Sequence, residues 1–311
     1  MPKILNYGSL NIDYVYGVDH MVMPGETLAS FSRDIFAGGK GLNQSVACAR
    51  AGGEVYHAGA VGRDDSKVLL DVIASSGIHD DFLQRRDSAS GHTIIQVDKT
   101  GQNCILLYGG ANQTLTTAEI DETFSHFAPG DFLILQNEVN NIEYLIREGA
   151  KRGLKVCFNV SPYTPELLKL PLELCSFLIV NEIEGSSMVE MSADTDPYVL
   201  IKALTDKFPK TSFVLTLGSR GSILKEQGKD PVSCKSFKVK AVDTTAAGDT
   251  FLGYLITSLC RGLEGAQAVK TATAASAIAV TRQGATPSIP LWDEVQEFLK
   301  NTDVEVLTDK I

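Results

Sequence analysis

The chain has 311 residues, 44% of them hydrophobic and 21% charged, a composition that is ordinary for a globular enzyme with a large buried core. Its 28 Lys and Arg residues against 38 Asp and Glu residues give a net charge of −10, which disfavours nucleic acid and anionic membranes as partners. The sequence has no signal-peptide pattern, no run of about 18 apolar residues and no C-x-x-C motif among its six cysteines; we expect a cytoplasmic protein with reduced, buried thiols and no membrane partner.

Short apolar runs alternate with amphipathic segments along the chain. The apolar runs predict buried strands at 4–8, 131–135, 155–160, 177–180 and 213–217. The segments between them predict helices at 66–76, 142–152 and 198–208, with Gly77 and Gly153 as helix stops. This alternation predicts an α/β fold with a mostly parallel sheet that helices cover on both faces.

Two regions break this pattern, because apolar and polar residues alternate within them. They span residues 12–37 and 92–108, and Gly101 marks a hairpin turn in the second. A small exposed sheet inserted into such a domain predicts a lid over the ligand crevice. We therefore expect one domain over residues 1–311 that carries a β lid.

The segment 241–251 places residues with little side-chain bulk at the start of a predicted helix. Ala246, Ala247 and Gly248 leave backbone N–H groups free at the positive end of the helix dipole, which suits an anion. Asp249 follows in the first turn, beside that position. The alternative is a structural role, in which Asp249 only caps the helix and favours its dipole.

A second glycine-rich segment, 36–44, also opens a predicted helix. It is neither a dinucleotide-binding fingerprint nor a phosphate-binding P-loop. Its glycines, Gly39 among them, allow the backbone to approach a small polar ligand, while Lys40 and Asn43 offer hydrogen bonds to hydroxyl groups. A plain tight turn is the alternative interpretation.

Polar residues follow several predicted strands, at the sheet edge where ligands of open α/β folds bind. Asn11 and Asp13 follow the first strand and Glu138 follows another; their side chains suit sugar hydroxyls, although each could be a satisfied loop residue. The acidic segment 181–184 could hold Mg²⁺. The glycines of 216–221 allow main chain to lie along nucleotide phosphates, and the loop 279–288 offers carbonyl oxygens to a large monovalent cation.

Other reaction classes lack their signatures. The five histidines show no metal-ligand spacing and H-E-x-x-H is absent, which disfavours zinc chemistry. G-x-S-x-G is also absent, which disfavours serine hydrolysis.

Four motifs together closely resemble the ribokinase (PfkB-type) carbohydrate kinases over essentially the whole chain. They are Gly-Gly-Lys-Gly-x-Asn at 38–43, Asn-Glu-x-Glu at 181–184, Asp-Thr-x-Ala-Ala-Gly-Asp at 243–249 and Thr-Arg-x-Gly-Ala-x-Pro-Ser at 281–288. The resemblance implies a three-layer α/β/α sandwich with a small β lid, which often joins two copies into a homodimer. It also implies ATP as phosphoryl donor, with Mg²⁺ and K⁺ as cofactors.

The resemblance assigns roles to individual residues. Asp249 matches the catalytic base, and the N–H groups of Ala246, Ala247 and Gly248 match an anion hole. Residues that match sugar contacts are Asn11, Asp13, Gly39, Lys40, Asn43 and Glu138. Residues expected to bind ATP are Asn181, Thr216, Gly218, Ser219, Gly221 and Gly248. Glu184 matches the residue near Mg²⁺. Residues that match a potassium site are Asp243, Thr245, Ala279, Arg282, Gly284 and Ser288.

The sequence departs from the family pattern at Leu42, Asn137 and His92, and in the pair that follows Asn159, Val160-Ser161. The first three could alter the sugar pocket. We expect phosphorylation of D-ribose to D-ribose 5-phosphate. The alternatives are a related kinase of another sugar, a nucleoside or a sugar phosphate, and a sugar-sensing protein without catalysis.

Overall fold

Strands and helices alternate along the chain in a computed structural model that describes residues 1–308; residues 309–311, the end of the predicted domain, lie outside the described residues. The strands are β1 (Ile4–Tyr7), β2 (Asn11–Gly17), β3 (Ser32–Gly38), β4 (Val55–Gly62), β5 (His79–Arg86), β6 (Gly91–Val97), β7 (Asn103–Tyr108), β8 (Phe132–Gln136), β9 (Lys155–Asn159), β10 (Phe177–Asn181), β11 (Ser212–Thr216), β12 (Ser222–Lys225), β13 (Val232–Cys234) and β14 (Val306–Thr308). The α-helices are α1 (Lys40–Arg50), α2 (Lys67–Ser75), α3 (Thr117–Phe124), α4 (Ile142–Lys151), α5 (Glu182–Met188), α6 (Pro197–Lys207), α7 (Ala247–Cys260), α8 (Gly265–Ala279) and α9 (Trp292–Asn301).

The large sheet has ten strands in the order β14-β13-β12-β11-β10-β9-β8-β1-β4-β5. From β11 to β5 every neighbouring pair is parallel, while β12, β13 and β14 extend the sheet by antiparallel pairing. This arrangement confirms the predicted mostly parallel sheet. Parallel strands place their carboxyl ends at one edge, so the loops after β1, β8 and β10 come together there.

Helices cover both faces of this sheet. Alternate residues of one strand enter different cores: Ile4 belongs to the core on the side of α1, α7 and α8, while Leu5 belongs to the core on the side of α3, α4 and α6. Both side chains are fully buried, as expected for a strand that is covered on each side. The predicted three-layer α/β/α sandwich is confirmed.

Each predicted strand and helix named above begins and ends within one residue of the bounds in the structure. The predicted helix 142–152 is α4, and Gly153 follows it with a φ of 79°. Gly77 follows α2 with a φ of 66°. Only glycine adopts this left-handed conformation without strain, which is why these two positions end their helices.

A second sheet of four strands, in the order β3-β2-β6-β7, forms the lid. The hairpin of β6 and β7 was predicted, and Gly101 lies in its turn with a φ of 84°. The other predicted lid segment, 12–37, is two antiparallel strands joined by residues 18–31, which form no strand; there Gly25 supports a turn with a φ of 82°. Strand β7, at the edge of the lid, is exposed along its whole length, and its apolar side chains include Ile105 and Leu106 on opposite faces of the sheet.

The six cysteines all lie within the described residues, where five of them are buried, as predicted, and none forms a disulfide. Cys104 is the exception: it lies on β7 of the lid, whose residues are all exposed. Within residues 1–308 no helix combines the length and the apolar character needed to cross a bilayer.

Candidate active site

The carboxylate of Asp249 lies in the first turn of α7 and is held by side chains from α1. Asn43 Nδ2 donates to Asp249 Oδ2 at 3.0 Å, and Gln44 Nε2 donates to Asp249 Oδ1 at 2.8 Å. Asp249 is only 8% exposed. Among the described residues no side chain caps α7, so the Asp249 carboxylate is turned toward α1 and does not cap its own helix.

The two helices approach closely because Gly253 of α7 faces Ala47 of α1. A Cβ at Gly253 would lie 2.4 Å from the Ala47 Cβ. The glycine therefore allows α1 and α7 to pack closely, and Asn43 of α1 reaches Asp249 of α7.

The residues predicted as an anion hole form the start of α7. Ala246 is the N-cap and has a left-handed φ of 58°, which turns the chain sharply into the helix. The Ala247 N–H donates to the Thr244 carbonyl at 3.2 Å. A Cβ built on Gly248 meets no described atom within 4 Å, so the space beside Gly248 is open to a ligand.

A cavity of about 220 Å³ lies beside this turn. Its lining includes Asp249, the three anion-hole candidates and four further predicted residues, which are Lys40, Asn181, Glu184 and Thr216. Burial disfavours the charged form of Lys40, but the carboxylates of Asp249, Glu138 and Glu184 outweigh it and raise the pKa of Lys40 above its ordinary value. Lys40 is therefore held in its charged form, which can pair with a phosphate.

Glu138 is held by the loop after β1 and by the first residue of α1. Its Oε2 accepts hydrogen bonds from the Ser9 hydroxyl and, at 3.2 Å, from the Lys40 N–H. Ser9 Oγ in turn accepts from the Gly41 N–H at 3.2 Å. Burial raises the pKa of Glu138, against the lowering effect of Ser9 and Lys40. Gly39, the N-cap of α1, has a φ of 94°, and a Cβ there would lie 3.0 Å from backbone atoms.

Asn11 and Asp13 lie on β2, where the lid meets the large sheet. Asn112 Nδ2 donates to Asn11 Oδ1 at 2.8 Å, and Thr93 Oγ1 donates to Asp13 Oδ1 at 2.5 Å. Burial raises the pKa of Asp13, and the Thr93 hydrogen bond partly offsets this. Both side chains are thus held in one orientation on the inner side of the lid.

A larger cleft of about 440 Å³ adjoins the small cavity. Its lining includes all the residues predicted to bind ATP, which are Asn181, Thr216, Gly218, Ser219, Gly221 and Gly248. The remaining lining includes apolar side chains, among them Phe237, Val239 and Val280. Residues that line both spaces are Asn181, Thr216, Thr244, Ala247 and Gly248. The two spaces therefore meet at the start of α7.

The residues predicted near metal ions have other partners within the protein. Asn181 and Glu184 form a capping box at the start of α5, with hydrogen bonds of 2.8 and 2.9 Å. Across residues 1–308 no group of three or more His, Cys, Asp or Glu side chains could hold a metal ion. A divalent ion here would depend on Glu184 together with the phosphates of a nucleotide.

Asp243 joins the two loops of the predicted potassium site. Its carboxylate accepts from the Thr245 N–H and the Gly284 N–H, each at 2.9 Å. These bonds outweigh the raising effect of burial and keep the pKa of Asp243 low. The Ala279 carbonyl accepts from the Arg282 N–H at 3.0 Å, and the Arg282 side chain pairs with Glu294. Ser288 Oγ donates to the Ala285 carbonyl at 2.8 Å.

Of the positions that depart from the family pattern, Ser161 lines the smaller cavity, while Leu42, Asn137 and His92 line neither of the two. Leu42 is fully buried in the core on the α1 side of the sheet. Asn137 donates from Nδ2 to the Pro162 carbonyl at 2.8 Å. His92 lies on the lid between Tyr14 and Tyr108, with ring centroids 6.0 and 5.0 Å away.

Sequence reasoning assigned no role to four polar residues that are linked to Asp249, directly or in sequence, by hydrogen bonds. Gln44, Gln136 and Asn6 are fully buried, and Asn159 accepts from Gln44 at 3.1 Å. The sequence could have pointed to these residues, because amides within apolar segments are expected to be buried and a buried amide needs hydrogen-bond partners.

Comparison with known proteins agrees with this geometry. Residues 1–292 match the pfkB family carbohydrate kinases. The chain is 34% identical over 303 residues to a ribokinase of Haemophilus influenzae, with 94% of this chain and 97% of that protein covered. It is 30% identical over 298 residues to a deoxyribokinase of Salmonella typhi, with 94% and 97% covered.

Solved structures show the same fold. A ribokinase of Cryptococcus neoformans in complex with ADP has a TM-score of 0.85 at 32% identity, with 96% of this chain and all of that chain covered. A ribokinase of Arabidopsis thaliana complexed with ribose and ATP has a TM-score of 0.85 at 27% identity, with 96% and 99% covered. The family match, the sequence relatives and the shared fold agree, and the chain belongs to the pfkB family of carbohydrate kinases.

Proposed function

We propose that this protein is an ATP-dependent sugar kinase that converts D-ribose to D-ribose 5-phosphate. The observation that carries the proposal is the buried Asp249 carboxylate, held by Asn43 and Gln44 beside the open N-terminal turn of α7. The relatives that support ribose as substrate are the ribokinases of Haemophilus influenzae and Arabidopsis thaliana, the second of which binds ribose and ATP.

Asp249 is proposed as the general base. It accepts the proton of the sugar hydroxyl as that oxygen attacks the γ-phosphorus of ATP, and ADP leaves as the terminal phosphoryl group is transferred. Phosphoryl transfer depends mainly on alignment and on stabilising the charge of the transferred group. The N–H groups of Ala246, Ala247 and Gly248 and the Lys40 ammonium are proposed to supply that stabilisation. For the Ala247 N–H this requires release from the Thr244 carbonyl.

The sugar is proposed to bind between the lid and the start of α1. Asn43 Oδ1 is buried without a hydrogen-bond partner among residues 1–308, so it can accept from a sugar hydroxyl. The other proposed sugar contacts are Asn11, Asp13, Gly39, Lys40 and Glu138. Because Asn11, Asp13 and Glu138 already have fixed partners, little side-chain freedom is lost when the sugar binds.

ATP is proposed to occupy the larger cleft, with its phosphates along Gly218 to Gly221 and its base against Phe237 and Val280. Mg²⁺ would be held through Glu184 and would reduce the charge of the phosphates. K⁺ is proposed at the loops joined by Asp243, with oxygens of Thr245, Ala279, Arg282, Gly284 and Ser288. Bound there, it would hold the 243–248 turn in place. The Asp243 carboxylate and the surrounding carbonyls fit such a cation.

We also propose that the chain acts as one kinase domain, that it is cytoplasmic, and that two copies join through their lids. The lid exposes a row of apolar side chains on β7, with Leu106 at 66% and Ile105 at 57% exposure. Apolar surface of this extent favours association with another protein surface.

A second candidate substrate is a related sugar such as deoxyribose. The 30% identity to a deoxyribokinase supports it at a level only slightly below that of the ribokinase relative. A nucleoside or sugar phosphate is the further alternative, and a protein that senses sugar without catalysis is the third.

The test is ADP release by the purified protein with Mg-ATP and a panel of D-ribose, deoxyribose, other pentoses, nucleosides and sugar phosphates, with and without potassium. We expect the highest kcat/KM on D-ribose and a higher rate with potassium. Asp249→Asn should lower kcat by about 10²–10⁴-fold while sugar binding persists. The matched control is Asp71→Asn, an exposed aspartate that pairs with Lys67 on α2. An unchanged rate in Asp249→Asn contradicts the mechanism.

A further inference from the structure

Three buried amide side chains connect Asp249 to the first strand of the large sheet. We call Asn6, Gln136 and Gln44 the amide network. Asn6 Nδ2 donates to the Gly41 carbonyl at 2.7 Å. Gln136 Nε2 donates to Asn6 Oδ1 at 2.9 Å and to Gln44 Oε1 at 2.7 Å. Gln44 Nε2 completes the network by donating to Asp249 Oδ1 at 2.8 Å.

The two ends of the amide network fix the direction of every hydrogen bond within it. The Gly41 carbonyl and the Asp249 carboxylate accept hydrogen bonds and cannot donate them. Asn6 must therefore present its NH₂ group to Gly41, and Gln44 must present its NH₂ group to Asp249. The carbonyl oxygens of Asn6 and Gln44 then both face Gln136, so Gln136 has to donate in both directions.

This arrangement leaves one hydrogen-bond acceptor of Gln136 unsatisfied. Because both of its N–H bonds are used, its Oε1 is left buried without a hydrogen-bond partner in the part of the chain that the structure describes. The Oε1 is directed at Gly8, where a Cβ would lie 2.7 Å from it. A buried acceptor without a partner is unfavourable, and a protein retains one where the rest of the arrangement requires it.

A branch of the network anchors it further. The second N–H of Asn6 is directed at Ser45 Oγ at 2.9 Å, and Ser45 Oγ lies 2.7 Å from His57 Nδ1. His57 Nε2 lies 3.1 Å from the Gly8 carbonyl, so Nε2 carries the proton and Nδ1 accepts from Ser45. Asn6 is thus held on both sides and cannot rotate its amide without losing a bond.

We propose that Gln44 and Gln136 are positioning residues for the phosphoryl transfer: Gln44 holds one oxygen of Asp249, and Gln136 fixes the orientation of the Gln44 amide. The inference rests on the proposed role of Asp249 as base. With Asn43 on Oδ2 and Gln44 on Oδ1, the carboxylate keeps one rotation, so the same oxygen meets the sugar hydroxyl in each turnover. Neither Gln44 nor Gln136 lines the proposed ATP cleft.

The direction of the network gives a distinctive test. In Gln136→Glu the new carboxylate cannot donate, so the Gln44 amide has to turn its NH₂ group to that carboxylate and its oxygen to Asp249. In Gln136→Met the middle position neither donates nor accepts, and Gln44 keeps its bonds to Asp249 and Asn159. We expect kcat to fall about ten- to hundredfold in Gln136→Glu and in Gln44→Met, and several-fold less in Gln136→Met.

The measurements are kcat and KM for ATP and ribose, with thermal unfolding of each variant in parallel. We expect the KM for ATP to stay within about twofold of wild type in all variants, because the ATP cleft is unchanged. Gln267→Met, an exposed position on α8, is the matched control for replacing Gln by Met. Losses of kcat that follow the loss of stability, with Gln136→Met as slow as Gln136→Glu, would overturn the proposal.

The outcome for Asp249→Asn separates this inference from the proposed function. If Asp249→Asn abolishes turnover while Gln44→Met and Gln136→Glu keep the wild-type kcat, the positioning role is wrong and the kinase mechanism stands. If Asp249→Asn turns over at the wild-type rate, the role of Asp249 as base is wrong, and the positioning role is wrong with it.

Discussion

His57 should make the stability of this protein depend on pH between about 4 and 6.5. The ring is completely buried between Ser45 and the Gly8 carbonyl. Burial lowers the pKa of His57 from 6.5 to about 4, and the bond to the Gly8 carbonyl offsets only part of this effect. The neutral ring is also the form that the hydrogen bonds require. The perturbation that we propose is His57→Gln, which removes the titrating group but can still donate to Gly8.

The sign and size follow from the difference in proton binding. Below pH 6.5 the unfolded chain binds a proton at His57, while the folded chain does so only below about pH 4. The unfolded state therefore binds more protons in this window, and the free energy of unfolding falls as the pH falls. A shift from 6.5 to about 4, at about 1.4 kcal/mol per pKa unit, corresponds to a loss on the order of 3 kcal/mol across the window.

Urea unfolding of wild type and His57→Gln at pH 7, 6, 5 and 4.5 measures this contribution as a difference between the two proteins. Taking the difference between the two free energies of unfolding cancels the contribution of the carboxylates, which also titrate in this range. We expect His57→Gln to be less stable than wild type at pH 7 and to lose less stability as the pH falls. A difference between the two proteins that stays constant from pH 7 to pH 4.5 would refute the buried neutral histidine.

Two other substitutions test the helix contact and the lid. Gly253→Ala should lower the free energy of unfolding by about 1–3 kcal/mol, because the new Cβ would lie 2.4 Å from Ala47 Cβ and 2.8 Å from the Cys48 N. Thermal unfolding measures it, with Gly185→Ala as control, since its nearest atom is 3.3 Å away; equal effects of the two changes would argue against the close α1–α7 contact. Leu106→Lys places a charge on the exposed edge strand β7 of the lid and should convert the proposed dimer into single chains, as measured by light scattering. Val199→Lys on α6, at 52% exposure, is its control, and a wild-type protein that is already a single chain would contradict the lid interface.

The fold could be predicted from the sequence because helices cover both faces of the large sheet, which makes its central strands largely apolar. Strands such as β8 and β10 are continuous apolar runs, since both of their faces are buried. The glycines after α2 and α4 mark ends that only glycine accommodates easily. The lid was less regular than its alternating pattern suggested, because the segment 18–31 carries a turn in place of paired strands.

The residues that the sequence analysis missed lie both within elements and at their ends: Asn6 and Gln44 lie within β1 and α1, and Gln136 and Asn159 are the last residues of β8 and β9. Asp249, Lys40 and Glu184 come from segments far apart in the chain, and the structure brings them to one small cavity. Gln44 and Gln136 are visible in the sequence, but their proposed role depends on a hydrogen bond between two residues that lie 92 positions apart in the chain. No local pattern specifies such a contact, because it is set by the order of strands in the sheet.

The two adjoining cavities share the residues at the start of α7 and differ in the rest of their lining. The residues that line only one cavity can therefore change during evolution at a different rate from those that line the other. Substitutions at Phe237, Val239 or Val280 reshape the larger cleft alone, so, with ATP bound there as we propose, a lineage of such enzymes can change its preferred nucleotide base by small steps. Thr244, Ala247 and Gly248 border both spaces, and a change there alters two binding events at once. Selection for a new phosphoryl donor should accordingly leave its record in α8 and the 236–241 loop rather than in the turn that begins α7.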